Sequence, residues 1–217
     1  MSALVIGSMI PDFEYFILMK LDGRFSHTIP GIFLFDIPVG LLVLVIFHGV
    51  VKRPLINNLP TYFNSRLQPL KNFEFFTYFK EHFIGLIACL FIGTVSHICW
   101  DGFTHKDGLF TEYVPLLLKP VIFSGMPDLP IYRYLQHVST AVGAVVIFYI
   151  FHKMPGYEGA SKIDLRFWTI LTFFFTVTFI IRASFGLEYY GDTVAVLISS
   201  GFVGLIAASF FKFKMEI

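Results

Sequence analysis

Potential metal ligands at four-residue spacing are the strongest chemical feature of the sequence. They are His97, Asp101 and His105, and small residues at positions 85, 89 and 93 precede them at the same interval. Residues four apart share one face of a helix. On a membrane helix, small residues mark the face that neighbouring helices approach closely. The pattern therefore predicts a stripe of imidazoles and a carboxylate that points into a helical bundle.

The elements that position this stripe follow from the composition. The chain has 217 residues, of which 56% are hydrophobic and 14% charged, and its mean hydropathy of +0.73 is too high for a soluble domain. A spanning helix needs roughly 20 mostly apolar residues. Five segments qualify: 31–51, 83–103, 136–152, 166–185 and 193–213. The alternating hydrophobicity of a membrane β-barrel is absent. We therefore predict an all-α, polytopic helical membrane protein that forms a single domain over residues 1–217.

The N-terminal segment Ala3–Met19 needs a separate interpretation. It is apolar but holds Pro11, Asp12 and Glu14, and its carboxylates would be costly at the bilayer centre. We predict a re-entrant or interfacial helix. The segment lacks the basic start and small-residue cleavage site of a secretory signal, so cleavage is not expected.

Two further counts exclude other classes of protein. The two cysteines lie ten positions apart on one predicted helix, too far along it to form a disulfide. The formal net charge is +1 and no dense Lys/Arg cluster occurs, so we expect no nucleic-acid surface. Membrane lipid is the expected partner, and the sequence specifies no oligomeric state.

The basic residues predict the orientation of the chain. Segments 52–81, 153–166 and 212–217 hold ten Lys and Arg residues, and the opposite side holds six. Because cytoplasmic loops carry the excess, the N-terminus should lie outside and the C-terminus inside the cell.

With this orientation, ionisable residues from four segments share one layer near the outer face. They are Asp12, Glu14, His27, Asp36, His97, Asp101, His105 and His137. Imidazoles and carboxylates at one depth are what a metal or proton-handling site needs in a helical bundle. The remaining histidines at positions 48, 82 and 152 fall at the inner face, where we interpret them as interfacial residues.

Each of these features also has a structural interpretation. An intramembrane His or Asp can serve as a hydrogen-bonding link between helices. Asp36, just before Pro38, is interpreted as a cap of the first spanning helix. Ser200, Gly204 and Ala208 form a small-residue stripe that predicts helix packing alone.

Four strings in the sequence resemble a known family. They are GSMIPDFEYF (7–16), RFSHTIPGIFLFDIPVG (24–40), SHICWDGFTH (96–105) and LQHVST (135–140). They are similar to motifs of an uncharacterised family of bacterial membrane proteins, domain of unknown function 4184. The last two predicted helices match only in hydrophobicity. Members usually have a further N-terminal stretch with a Ser-His pair, so either an upstream segment or a smaller ligand set is expected here.

That family in turn resembles membrane-bound, metal-dependent hydrolases with a His-x-x-x-Asp helix motif. The resemblance implies a polar centre at Asp12, His27, His97 and Asp101, with His105 and His137 as further members.

We assign roles on this basis. The predicted metal ligands are His97, Asp101 and His27, and Zn²⁺ suits them best, ahead of Mn²⁺ or Fe²⁺. Asp12 or Glu14 is the predicted general base. His105 and His137 are interpreted as a second ligand set or as oxyanion stabilisers. The preceding residues Ser26 and Ser96 are expected to orient two of the histidines.

Three function classes follow. The first is a metal-dependent hydrolase that acts on a lipid or other amphiphile at the outer membrane face. The second is a transporter or ion-binding protein that uses the same layer for cations or protons. The third is a structural membrane protein. For the hydrolase, the proline-rich linker 106–135, with its apolar patch Val114–Phe123, is interpreted either as an interfacial lid or as a rigid loop.

Overall fold

The protein is mostly helical in a computed structural model that describes residues 1–121, 128–157 and 163–215. The α-helices in these ranges are α1 (Ser2–Gly7), α2 (Phe13–Leu18), α3 (Ile29–Asn58), α4 (Thr61–Leu67), α5 (Phe75–Glu81), α6 (Phe83–Thr104), α7 (Leu109–Tyr113), α8 (Ile131–Lys153), α9 (Leu165–Ser184) and α10 (Tyr190–Met215). Short 3-10 turns lie at Ile10–Asp12, Gln68–Asn72 and Pro115–Leu118. Strands β1 (Pro120–Val121) and β2 (Leu129–Pro130) form an antiparallel pair.

Five of these helices are long and apolar enough to cross a membrane: α3, α6, α8, α9 and α10. They confirm the all-α polytopic fold and correspond to the five predicted segments. The helices extend beyond the apolar stretches on which the prediction rested. For example, α8 begins at Ile131, directly after Pro130, rather than at residue 136. Hydropathy locates the apolar part of a span, whereas backbone hydrogen bonding continues to a helix-ending residue.

Helix α3 departs from the prediction at Asp36. Thr28 caps this helix, because its hydroxyl accepts a hydrogen bond from the Gly31 amide at 3.1 Å. Asp36 lies inside the helix, is 1% exposed, and makes no capping hydrogen bond. The interpretation of Asp36 as a cap was therefore wrong. Pro38 does not begin a helix, because a wider π-helical turn at Ile32–Asp36 precedes it and accommodates a residue without an N–H.

The chain divides into two compact units, and the division falls within α6. The terminal unit comprises Met1–Thr94 and Gly156–Ile217, and the central unit comprises Val95–Pro155. That the whole chain forms a single domain stays a prediction.

The core of the terminal unit is built around the broken N-terminal helix. Ala3, Leu44, Phe75, Leu86 and Leu90 form a buried apolar cluster. The predicted N-terminal helix is present in two pieces, because Pro11 falls in the 3-10 turn between α1 and α2. Since α1 contributes Ala3 to the cluster, this helix is part of the packed interior.

Close approach to α1 requires a glycine on α6. A Cβ atom at Gly93 would overlap the backbone of Leu4, Gly7 and Ser8. The hydroxyl of Thr94 donates to the carbonyl of Gly7 at 3.3 Å. The backbones of α1 and α6 are therefore in direct contact. Small residues permit such close packing between membrane helices.

Helices α9 and α10 pack in the same way. A Cβ at Gly204 would meet the backbone carbonyl of Leu171, and Ser200 and Ala208 are fully buried. This confirms that the small-residue stripe of α10 serves helix packing. Asn58 fixes the start of α9, since its side chain accepts from the Asp164 amide at 3.0 Å.

The central unit holds the end of α6, α7, the β1–β2 pair and α8. The hydroxyl of Thr111 on α7 contacts the carbonyls of His105 and Lys106, each at 3.0 Å. These contacts hold the first part of the linker against the end of α6. The linker residues 122–127, which include Phe123, lie outside the described residues, and so do Lys162 and the side chains of Lys212 and Lys214. Both cysteines are free, as predicted.

The packing of Gly93 generates a prediction with a control on the same helix. We expect Gly93→Ala to lower the thermal midpoint of the detergent-solubilised protein, because overpacking costs about 1–3 kcal/mol. At Gly85 an added Cβ meets nothing within 4 Å. Gly85→Ala should therefore leave the midpoint unchanged or raise it slightly, since alanine is the better helix former. Equal midpoints for the two variants would contradict the backbone contact between α1 and α6.

Candidate metal centre

The first candidate pair, Asp12 and His27, lies in the terminal unit. Asp12 ends the 3-10 turn that breaks the N-terminal helix, and His27 precedes the Thr28 cap of α3. Met19 ends α2 in the left-handed conformation, with φ of 51°, and turns the chain back. This turn brings Nε2 of His27 to 4.0 Å from Oδ1 of Asp12.

Ser26 determines which nitrogen of His27 carries the proton. Ser26 is fully buried, and both its amide and its hydroxyl donate to Oε2 of Glu14, at 2.9 and 2.8 Å. Its oxygen lies 3.0 Å from Nδ1 of His27. Since the only hydroxyl hydrogen of Ser26 goes to Glu14, Ser26 must accept from Nδ1–H. Neutral His27 then has its lone pair on Nε2, the nitrogen that faces Asp12.

The lone pair on Nε2 of His27 faces the carboxylate of Asp12, an arrangement that favours binding of a cation between the two. Two acceptors cannot hydrogen bond to each other, so a proton or a metal ion is needed to make the arrangement favourable. An outer hydrogen bond that selects the ligating nitrogen is the usual support of a metal-bound histidine. The Glu14–Ser26–His27 chain has this form.

The second candidate pair, His97 and Asp101, lies on the part of α6 that belongs to the central unit. Nε2 of His97 is 3.2 Å from Oδ2 of Asp101, and Nδ1 of His105 is 3.6 Å from the other carboxylate oxygen. The side chains of His97 and Asp101 are 14% and 23% exposed, whereas that of His105 is 52% exposed. The four-residue spacing thus places Asp101 between two imidazoles, and His97 is the more enclosed of the two.

Both pairs have a donor set that fits a divalent cation. In each pair, an imidazole nitrogen and a carboxylate oxygen lie within 4.8 Å of one another. Two ligands at about 2.1 Å from a tetrahedral ion lie about 3.4 Å apart. The 3.2 Å of His97 and Asp101 is close to this value, and it also suits a hydrogen bond. The 4.0 Å of Asp12 and His27 exceeds a hydrogen bond and corresponds to a wider angle at the ion.

The other predicted site residues have different surroundings. Glu14 accepts two hydrogen bonds from Ser26 through one carboxylate oxygen. His137 is exposed on α8. Asp36 is buried in the π-helical turn of α3. Neither His105 nor His137 belongs to a group of three or more potential ligands among the described residues.

Asp192 is a supporting residue that sequence reasoning missed. It lies in the first turn of α10, is 1% exposed, and accepts from the amides of Leu21 at 2.8 Å and Tyr189 at 3.3 Å. Arg182 of α9 donates to the carbonyl of Met19 at 3.2 Å. These contacts fix the loop that carries His27. An acidic residue at the start of an apolar span was the available signal for Asp192.

The chain belongs to the family described as Domain of unknown function (DUF4184), whose model matches residues 1–213. The match confirms the resemblance and extends it through the last two helices, beyond the part that the four strings cover. No curated protein and no solved structure matches the chain. The family name carries no activity, so a function must be argued from the site.

The hydrogen bonds of Ser26 predict the tautomer of His27. In chelator-treated Ser26→Ala protein, Nδ1–H loses its acceptor, and we expect neutral His27 to shift toward the Nε2–H form. A lost hydrogen bond of about 1.4 kcal/mol changes the tautomer ratio about tenfold. The ¹⁵N chemical shifts of the imidazole measure this ratio. Ser184→Ala, which removes a hydrogen bond to the Ile181 carbonyl, is the control and should leave these shifts unchanged. An unchanged ratio in Ser26→Ala would contradict the assignment.

Proposed function

We propose that this DUF4184 protein is a membrane-embedded, metal-dependent hydrolase that acts on a lipid or other amphiphile. The observation that carries the proposal is the His97–Asp101 pair on a membrane-spanning helix, where Nε2 and Oδ2 lie 3.2 Å apart. Ionisable residues inside membrane helices are costly and mark functional sites by default. The Asp12–His27 pair, with its oriented imidazole, supports the same chemistry.

His97 and Asp101 are the proposed metal ligands, and His27, predicted from the sequence, is the third. Nitrogen and oxygen donors without sulfur favour Zn²⁺, ahead of Mn²⁺ or Fe²⁺. When bound, the metal would act as a Lewis acid and lower the pKa of a coordinated water to about 7.

The protein's own residues would bind, orient and transfer protons. Asp12 is a better candidate base than Glu14, because Ser26 already donates two hydrogen bonds to Glu14. Glu14 would instead keep Ser26 and His27 oriented. His105, half-exposed at the end of α6, would donate a hydrogen bond to developing negative charge on the substrate. His137 is retained in the same role.

The proposal includes a membrane and an orientation for this site. The resemblance to a bacterial family and the charge asymmetry of the loops favour the inner membrane of a cell, with the N-terminus outside and the C-terminus in the cytoplasm. A site at the outer headgroup layer favours a lipid substrate.

A cation- or proton-handling function is the second candidate. Asp36 favours it, because this carboxylate is 1% exposed within the spanning helix α3 and lies in a π-helical turn. Such turns occur often at functional sites. In this function the same ionisable residues would exchange an ion without bond cleavage.

Metal content tests the proposal. We expect near-stoichiometric zinc or manganese in the purified protein by elemental mass spectrometry. His97→Ala and Asp101→Ala should each lower the affinity for the metal by more than about tenfold. Mutating a residue that only supports a ligand already lowers metal affinity about 10- to 100-fold. His82→Ala is the matched control, because His82 lies outside the candidate centre, with its ring 4.3 Å from that of Tyr78.

Two results would count against the proposal. Folded wild-type protein that stays free of metal after reloading excludes a metal-dependent hydrolase and leaves hydrogen bonding between helices as the role of these residues. A metal-loaded protein that hydrolyses no phospholipid or envelope lipid, but that exchanges the ion across a vesicle membrane, favours the second candidate.

Reporter fusions test the orientation. With the C-terminus in the cytoplasm, a green fluorescent protein fused there should fluoresce and an alkaline phosphatase should stay inactive. Adding one spanning helix before each reporter should exchange the two signals. The opposite pattern in the original fusions would reverse the assignment of inside and outside.

A further inference from the structure

An apolar cavity of about 390 Å³ lies within the terminal unit between α2, α3 and α10. We propose that this cavity, which we call the acyl crevice, binds a fatty acyl chain of a membrane lipid. The inference rests on the proposed function and specifies its substrate as an acylated lipid. The volume falls in the range of about 300–1,000 Å³ that small-molecule sites occupy.

The walls of the acyl crevice suit hydrocarbon alone. Representative side chains are Phe16 and Ile17 from α2, Val43 and Phe47 from α3, and Val203 from α10. Ser199 supplies the one hydroxyl of the lining, and its hydrogen is already shared between the carbonyls of Phe16 and Ala195, both at 2.6 Å. A ligand with polar groups inside the crevice would lose its hydrogen bonds to water without replacement.

The shortness of α2 leaves this space open. Helix α2 has six residues, whereas α3 and α10 are long enough to span the membrane. The α3 part of the wall runs from Val43 to Val51, about 12 Å at the rise of an α-helix. An apolar space of this size does not favour water, and an empty one loses the contacts of its lining. In a membrane the available filler is a lipid chain.

The position of Asp12 connects the acyl crevice to the proposed chemistry. Asp12 directly precedes Phe13, the first residue of α2 and a member of the crevice lining. His27 faces Asp12 in the same unit. A lipid with its chain in the crevice can therefore present the bond next to its headgroup to Asp12 and His27. A soluble metabolite without an acyl chain would leave the crevice unused.

Photo-crosslinking tests the inference on the full chain in lipid nanodiscs. The probe is a phosphatidylglycerol with a diazirine at the end of one acyl chain, and adducts are mapped by mass spectrometry. We expect adducts on Phe16, Ile17 and Val203. Val203→Trp fills the crevice and should abolish them, whereas Val142→Trp, on the exposed face of α8, should not.

The outcomes separate this inference from the proposed function. Folded wild-type protein that holds its metal but shows no adducts in the crevice overturns the acyl crevice and leaves the hydrolase proposal standing. Crevice adducts on a protein that binds no metal support the lipid site and overturn the hydrolase. Adducts that Val203→Trp and Val142→Trp reduce equally would reflect general contact with lipid and overturn the inference.

Discussion

The bilayer offers no hydrogen-bond partners in its hydrocarbon region, and the polar interior of this protein is organised by that constraint. Six ionisable residues of the candidate centre lie beside a group that can pair with them, either directly or through a bound cation. His97 and His105 lie beside Asp101, His27 lies beside Asp12, and Glu14 accepts from Ser26. An isolated charge at the centre of a spanning helix costs about 2.5–3.5 kcal/mol by insertion scales, and pairing lowers that cost. The side chains are therefore held in fixed pairs, which is also the preorganisation that a metal centre requires.

The break in the N-terminal helix connects several features of the terminal unit. Pro11 ends regular hydrogen bonding after α1, so that Asp12 stands at the turn rather than along a continuous helix face. The short α2 then leaves the acyl crevice between two long helices. Asp192 and Arg182 hold the following loop through backbone atoms of Leu21 and Met19. Non-helical backbone at membrane depth is tolerated only where it is buried in protein or lines a water-filled cavity.

The sequence predicted those features that depend on residues close together in the chain. The five spans followed from hydropathy, and the face shared by His97, Asp101 and His105 followed from helical periodicity. Asp36 was misassigned because Pro30 and Pro38 are equally compatible with a first helical turn, and only backbone geometry identifies Thr28 as the cap. The hydrogen bond from the Leu21 amide to Asp192 joins residues 171 positions apart, so no short stretch of sequence predicts it. The acyl crevice likewise depends on how three distant segments pack.

X-ray absorption at the zinc edge of the purified, zinc-loaded protein tests the central claim most directly. A centre of imidazole and carboxylate ligands predicts a nitrogen and oxygen shell at about 2.0–2.2 Å with the multiple scattering of histidine rings. Asp101→Ala should alter this shell or remove the ion. A sulfur shell at about 2.3 Å would assign the metal to Cys89 or Cys99 instead. A shell without histidine scattering would contradict the site.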